Sequence, residues 1–216
     1  KIPDTLTAQA YITTDLDDNQ ITAFHPGAMT QSHQNSISLI SEDVSLAIIA
    51  PDGKDGMIQH ARECTEKNIP FMFDPGQGLP MFDKDELMNF IDQAHYIALN
   101  DYELQLLLDK TGLTIQKLAA SVTALIITKG SKGSSIFSNG EEIIIDAITI
   151  KNPIDPTGCG DAYRAGLIYG IINKYDWAQT GQLASVMGAI KIKSQGGQNH
   201  TASISEIESL FGKSLV

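Results

Sequence analysis

Between residues 45 and 128, short apolar runs alternate with stretches of helical period. Ser45-Leu46-Ala47-Ile48-Ile49-Ala50 reads as a buried strand, and the mixed positions from about Lys54 to Lys67 predict a helix. Phe71-Met72-Phe73, a helix around Asp85 to Ile91, Tyr96-Ile97-Ala98-Leu99, a helix through Leu104 to Leu108 and Leu125-Ile126-Ile127-Thr128 continue the alternation. Strands without a polar face belong in a parallel sheet covered on both sides. The predicted fold class is therefore α/β, with a mostly parallel sheet and helices on both faces.

Right-handed crossovers would place the carboxyl ends of these strands along one edge, where open α/β sheets bind ligands. A polar or glycine-containing cluster follows each strand: Ala50-Pro51-Asp52-Gly53, Asp74-Pro75-Gly76-Gln77, Asn100-Asp101-Tyr102-Glu103 and Thr128-Lys129-Gly130. This repeated placement is the first sign of function. After Gly130, β segments are expected around Ser134 to Phe137 and Glu142 to Ile145. Helices follow from about Gly158 to Lys174, Ala178 to Lys193 and Ser203 to Phe211. The opening stretch from Thr7 to Phe24 reads as a hairpin in a different layer. Its strand formers, Tyr11 to Thr14 and Ile21 to Phe24, flank an Asp17-Asp18-Asn19 turn.

The 216 residues are 42% hydrophobic and 19% charged, which suits a globular domain with a proper core and excludes a disordered chain. A net charge of −11 without any basic run argues against nucleic acid or a membrane surface as partner. An anionic ligand would need local positive features. No apolar stretch approaches the ~20 residues of a membrane helix, and no signal peptide is visible. Cys64 and Cys159 lie far apart and lack metal-ligand spacing, so a reducing, cytoplasmic compartment fits.

Candidate chemistry concentrates in Asp155-Pro156-Thr157-Gly158-Cys159-Gly160-Asp161, which leads directly into a helix. Two glycines around one small residue let the chain turn so that successive N–H groups face one point. The helix adds the positive end of its dipole, which favours an anion by up to ~2 kcal/mol. Asp161 would repel a phosphate, but as a general base it could take a proton from an attacking hydroxyl. The blander alternative is a glycine-rich helix opening capped by an aspartate. The length of the D-x-T-G-x-G-D pattern favours chemistry. Cys159 as a nucleophile is the weaker reading, because no partner His is identifiable.

Residues 155 to 166, D-P-T-G-C-G-D-A-Y-R-A-G, resemble the signature of the ribokinase-like (PfkB) carbohydrate and nucleoside kinases. The resemblance implies a three-layer Rossmann-like domain, with Asp161 as catalytic base and Gly158, Cys159 and Gly160 lining an anion hole. Asn100-Asp101-Tyr102-Glu103 resembles the family's N-x-x-E element, which would bring Asn100 and Glu103 to Mg²⁺ largely through water; an N-cap with first-turn acids explains the same residues. Thr128-Lys129-Gly130-Ser131-Lys132-Gly133 resembles the nucleotide loop for ATP, assigning Thr128, Lys129, Gly130 and Gly133, where a plain turn is the alternative. Gln195-Gly196-Gly197-Gln198-Asn199 falls where the family closes its adenine pocket, which assigns Gly197 and Gln198. Together with Asp155 and Thr157, that stretch would also offer main-chain oxygens to a monovalent cation such as K⁺.

Residues 1–30 are similar to part of the lid of bacterial adenosine kinase-like members, and 31–216 to the α/β kinase domain without its first strands. The family's further N-terminal third, with its sugar-gripping Asp, has no counterpart here, so the chain is expected to be a piece of a longer kinase. Tyr11 and Phe24 either cover a base or sugar, or pack the hairpin. The implied activity is ATP-dependent phosphorylation of a primary hydroxyl on an adenosine-like nucleoside, with fructokinase- or ribokinase-like sugar phosphorylation as runner-up. The resemblance also allows a homodimer through the lid. A non-catalytic nucleotide- or sugar-binding protein is the reading from another class, and Asp161 argues against it. A dinucleotide-dependent dehydrogenase fails, because the glycine motif comes late and lacks G-x-G-x-x-G after a first strand.

Overall fold

A computed structural model describes residues 1–14 and 20–215, so the expected Asp17-Asp18-Asn19 turn lies outside the described residues. The chain divides into two compact units, Lys1–Ala94 and His95–Val216. Among the described residues no helix is long and apolar enough to cross a membrane.

In the first unit, β1 (Gln9–Thr14) and β2 (Gln20–His25) form an antiparallel two-stranded sheet of their own. The register opposes Tyr11 to Ala23 and Ala10 to Phe24. Because successive strand residues face opposite sides, Tyr11 and Phe24 lie on different faces. They are both exposed and do not form one continuous cover. Further along, β3 (Ala47–Ile49) pairs in parallel with β4 (Phe71–Phe73), and α1 (Lys54–Glu66) connects them. Helix α2 (Lys84–Gln93) opens on an Asp83–Glu86 capping box. It buries Phe90 against the face of Phe73 (centroids 4.3 Å apart) and edge-on to Phe82 (5.0 Å). Short 3-10 segments at Gly27–Gln34, Ile37–Leu39 and Gly76–Met81 have no counterpart in the sequence-based expectation.

In the second unit, β5 (Tyr96–Asn100) runs parallel to β6 (Ala124–Thr128), joined through α3 (Asp101–Thr111) and α4 (Ile115–Ala120). The register sets Asn100 directly beside Thr128, so the polar clusters that follow these two strands share one edge. Strands β7 (Ser134–Ser138) and β8 (Glu141–Ile145) continue from β6 as antiparallel neighbours. Asn139 (φ 52°) and Gly140 (φ 80°) make their two-residue turn, for which two positive φ angles are needed. Helices α5 (Cys159–Ile172), α6 (Trp177–Lys191) and α7 (Ile204–Phe211) follow. α6 packs against β7, β8 and α5, and buries Leu183, Val186 and Ile190 with Phe211 of α7.

Candidate active site

The signature segment opens α5 by an unusual route. Gly158 occupies the N-cap position at φ +80°, in the left-handed region, and no side chain caps the helix. A Cβ at Gly158 would lie 2.8 Å from the Gly197 carbonyl oxygen, so both backbone conformation and close approach require glycine. The first bond of the helix runs from the Ala162 N–H to the Gly158 carbonyl (3.0 Å). Cys159 N–H donates back to the Pro156 carbonyl (3.0 Å) and so is committed to the turn. The amides of Gly160 and Asp161 precede the first helical bond and emerge from the helix end. Of the three residues expected to line an anion hole, Gly158 shapes the turn and Gly160 carries an amide at the helix end. The Asp161 amide emerges beside it, whereas that of Cys159 is bound within the turn. The Asp161 carboxylate is exposed on the third residue of α5, where it caps nothing.

Asp155 organises the approach to this helix. Its Oδ1 accepts from Thr157 N–H (2.8 Å), and its Oδ2 accepts from Gly196 N–H (2.7 Å) and Gln195 Nε2 (3.1 Å). These donors, the Thr157 amide foremost, hold its carboxyl at a pKa of about 2. Its carbonyl accepts from Lys191 Nζ at 2.8 Å. One side chain therefore ties the signature segment to residues 195–199, the two stretches expected to bind a monovalent cation. Cys159 Sγ lies 3.8 Å from the Gly188 carbonyl and 4.0 Å from that of Asp155. Burial pushes its thiol pKa up, the reverse of what a nucleophile needs.

A cavity of about 460 Å³ adjoins the start of α5, with Cys159 and Gly160 in its wall. Thr128, Gly130, Ser131 and Gly133, from the stretch expected to be a nucleotide loop, are in its wall. The Gly130–Lys132 turn is closed by Lys129 N–H to the Gly133 carbonyl (2.8 Å). Lys129 Nζ, expected to supply local positive charge, donates to Ser135 Oγ. Gly197 packs on Gly158 rather than on the cavity, and Gln198 is exposed outside its wall. The wall also includes Ala147 to Ile150 and Ser185, Ala189 and Ile192, residues the sequence reading did not single out. Their mostly apolar character and spacing of three or four on α6 was the available signal. Tyr163, also in the wall, shares a 2.6 Å hydrogen bond with Ser134 Oγ that fixes α5 against β7.

Asn100 and Glu103 form a capping box at the start of α3: Glu103 N–H donates to Asn100 Oδ1 (2.7 Å), and Asn100 N–H to Glu103 Oε2 (2.8 Å). Among the described residues no three His, Cys, Asp or Glu side chains converge on a metal position. The residues therefore fit a divalent ion only as a minority partner, through Glu103 or intervening water.

The model of the pfkB family of carbohydrate kinases matches residues 1–204. A nucleoside kinase from Methanocaldococcus jannaschii is 32% identical over 194 residues, which cover 90% of this chain and 63% of that protein. A nucleoside kinase from Burkholderia thailandensis, solved in complex with inosine, superposes with a TM-score of 0.94 at 53% identity. The match covers 97% of this chain and 69% of that one. The same enzyme in complex with ADP-inosine gives 0.93, again at 53% identity, over 97% of this chain and 66% of that one. The chain thus spans about two thirds of the length of these relatives. Its α/β fold, a mostly parallel central sheet with helices and a small antiparallel hairpin sheet, is theirs.

Proposed function

The chain belongs to the pfkB family of carbohydrate kinases, and on that premise we propose that the protein transfers the γ-phosphoryl group of ATP to a primary hydroxyl of a purine nucleoside. One observation carries the reading. The glycine-capped start of α5 sets two emergent amides and an uncapped carboxylate beside an apolar cavity. That cavity has the size of a small-molecule site and a lining suited to an aromatic base. Gly160 and Asp161 N–H groups are the donors for phosphoryl oxygens in transfer, and they need no reorganisation at that moment. Asp161 accepts the proton released by the attacking hydroxyl. A magnesium ion, reached from Glu103 by way of water, would add charge neutralisation between the phosphates. The nucleoside acceptor is favoured by the relatives that are nucleoside kinases, one of them solved with ADP-inosine.

The test is ATP consumption with adenosine, inosine, ribose and fructose as acceptors. A nucleoside should be turned over best. Asp161→Asn is expected to lower kcat by about 10²–10⁴-fold, the range lost with a general base, while ADP still binds. A preference for a free sugar would move the acceptor to the sugar class and keep the base. Turnover by Asp161→Asn close to wild type would remove Asp161 from its role. ATP binding without turnover of any acceptor would favour a binding protein on the same scaffold.

A further inference from the structure

Lys191 is fully buried, with 0% of its surface exposed, on the last turn of α6. Its ammonium donates to two main-chain carbonyls, Asp155 O at 2.8 Å and Ser194 O at 3.2 Å. Asp155 belongs to one of the stretches that the sequence marked as possible oxygen donors to a monovalent cation, and Ser194 immediately precedes the other. A desolvated ammonium is costly unless its donors are met and an opposite charge lies near. Here two of its three N–H groups are met by carbonyls, and the same Asp155 carries a carboxylate whose pKa the ammonium helps to lower. That carboxylate in turn accepts from the amides of Thr157 and Gly196. The residues therefore do not fit K⁺: a carbonyl the ion would use points at an ammonium, and like charges would meet at contact distance.

We propose that Lys191 is a built-in cation, a positioning residue whose ammonium clamps the Asp155 and Ser194 segments and holds the Gly158 turn in place without a bound monovalent ion. The clamp acts through position. Ser194 precedes Gly196 and Gly197, and Gly197 packs on Gly158, two and three residues ahead of the Gly160 and Asp161 amides. Ammonium suits this task because it makes directional bonds to two chosen carbonyls, whereas K⁺ requires a shell of several oxygens.

This proposal rests on the kinase reading for its activity arm only. The protein is compared in potassium, sodium and choline chloride at equal ionic strength. The expected result is the same thermal midpoint and the same turnover in all three salts. A midpoint that rises in potassium relative to choline, or turnover stimulated tenfold or more, would overturn it. The melting comparison decides even if no acceptor is phosphorylated, so failure of the kinase reading is separable from failure of this one. Lys191→Met keeps the stem and removes the charge. In a variant whose circular dichroism matches wild type, kcat should fall by about 10²-fold, as for misplacement by about an ångström, with little change in the acceptor KM. Wild-type kcat in the folded variant would overturn the clamp. Should Lys191→Met not fold, the wild-type salt comparison still stands as the test.

Discussion

Asp155 is a carboxylate whose oxygens face N–H donors, and its acid chemistry should be visible in solution. Its folded pKa of about 2 lies below its ordinary value of 3.8, chiefly because Thr157 and Gly196 donate to the ionised form. A depressed folded pKa means the stabilisation is complete above 3.8 and disappears as pH falls through 2. Wild type should therefore lose more thermal stability between pH 4 and pH 2 than Asp155→Asn, which starts less stable at neutral pH. Parallel acid profiles for the two proteins would mean that the network adds nothing to stability. Other residues of the site differ in how openly the sequence displays them. Gly158, Gly160 and Asp161 were legible because a glycine-cornered helix start is a local pattern. Lys191 was not, since a lysine near the end of a helix reads as a solvated charge favourable to the dipole. Its burial depends on a carbonyl 36 residues away. Lys129 shows the reverse case: its position in a glycine-rich loop suggested local positive charge, yet Ser135, opposite on the returning strand, takes its ammonium.

At the scale of elements, the site depends on how closely α5 lies against α6. A Cβ at Gly166 would sit 2.5 Å from Ala184 Cα and 2.8 Å from Ala184 N. Both are backbone atoms, so no rotamer can relieve the overlap. Gly166→Ala should destabilise by about 1–3 kcal/mol through overpacking, exceeding or offsetting the ~1 kcal/mol that alanine gains over glycine within a helix. Gly188→Ala is the matched control, because the added methyl would meet only the Cys159 carbonyl, at 3.8 Å. Urea unfolding of both variants gives the comparison, and a midpoint for Gly166→Ala no lower than that of Gly188→Ala would mean that the helices separate freely. The long elements were legible to within a few residues: α5 was expected from Gly158 to Lys174 and spans Cys159–Ile172. α4 was missed, because its six residues, Ile115–Ala120, make fewer than two helical turns and fall short of the window in which periodicity shows. A Thr114 cap that accepts from Lys117 N–H was its one signal. The 3-10 segments carry no periodicity either, and the antiparallel order of β7 and β8 depended on the Asn139-Gly140 turn.

Across the whole molecule, charge and ligand are opposed. The chain carries −11, and the proposed ligand is a nucleotide polyanion. Local attraction comes from the amides at the start of α5, with exposed Lys132 near the nucleotide loop, while Lys129 is engaged with Ser135. Peptide dipoles act over a few ångströms, whereas net charge acts over the Debye length, about 30 Å at 0.01 M salt and about 8 Å at 0.15 M. Encounter with nucleotide should thus be hindered at low salt and eased as salt rises, opposite in sign to steering by a basic cleft. Stopped-flow association of a fluorescent ADP analogue, without divalent ion so that ligand charge stays fixed, reads this directly. The association rate is expected to rise between 0.01 M and 0.15 M salt, by no more than about tenfold, the low end of what a focused field achieves. A rate that falls over the same range would mean that positive potential at the mouth of the cavity outweighs the global field. Lys132 would then be the first side chain to neutralise, since it is the charged member of that loop that the fold leaves exposed.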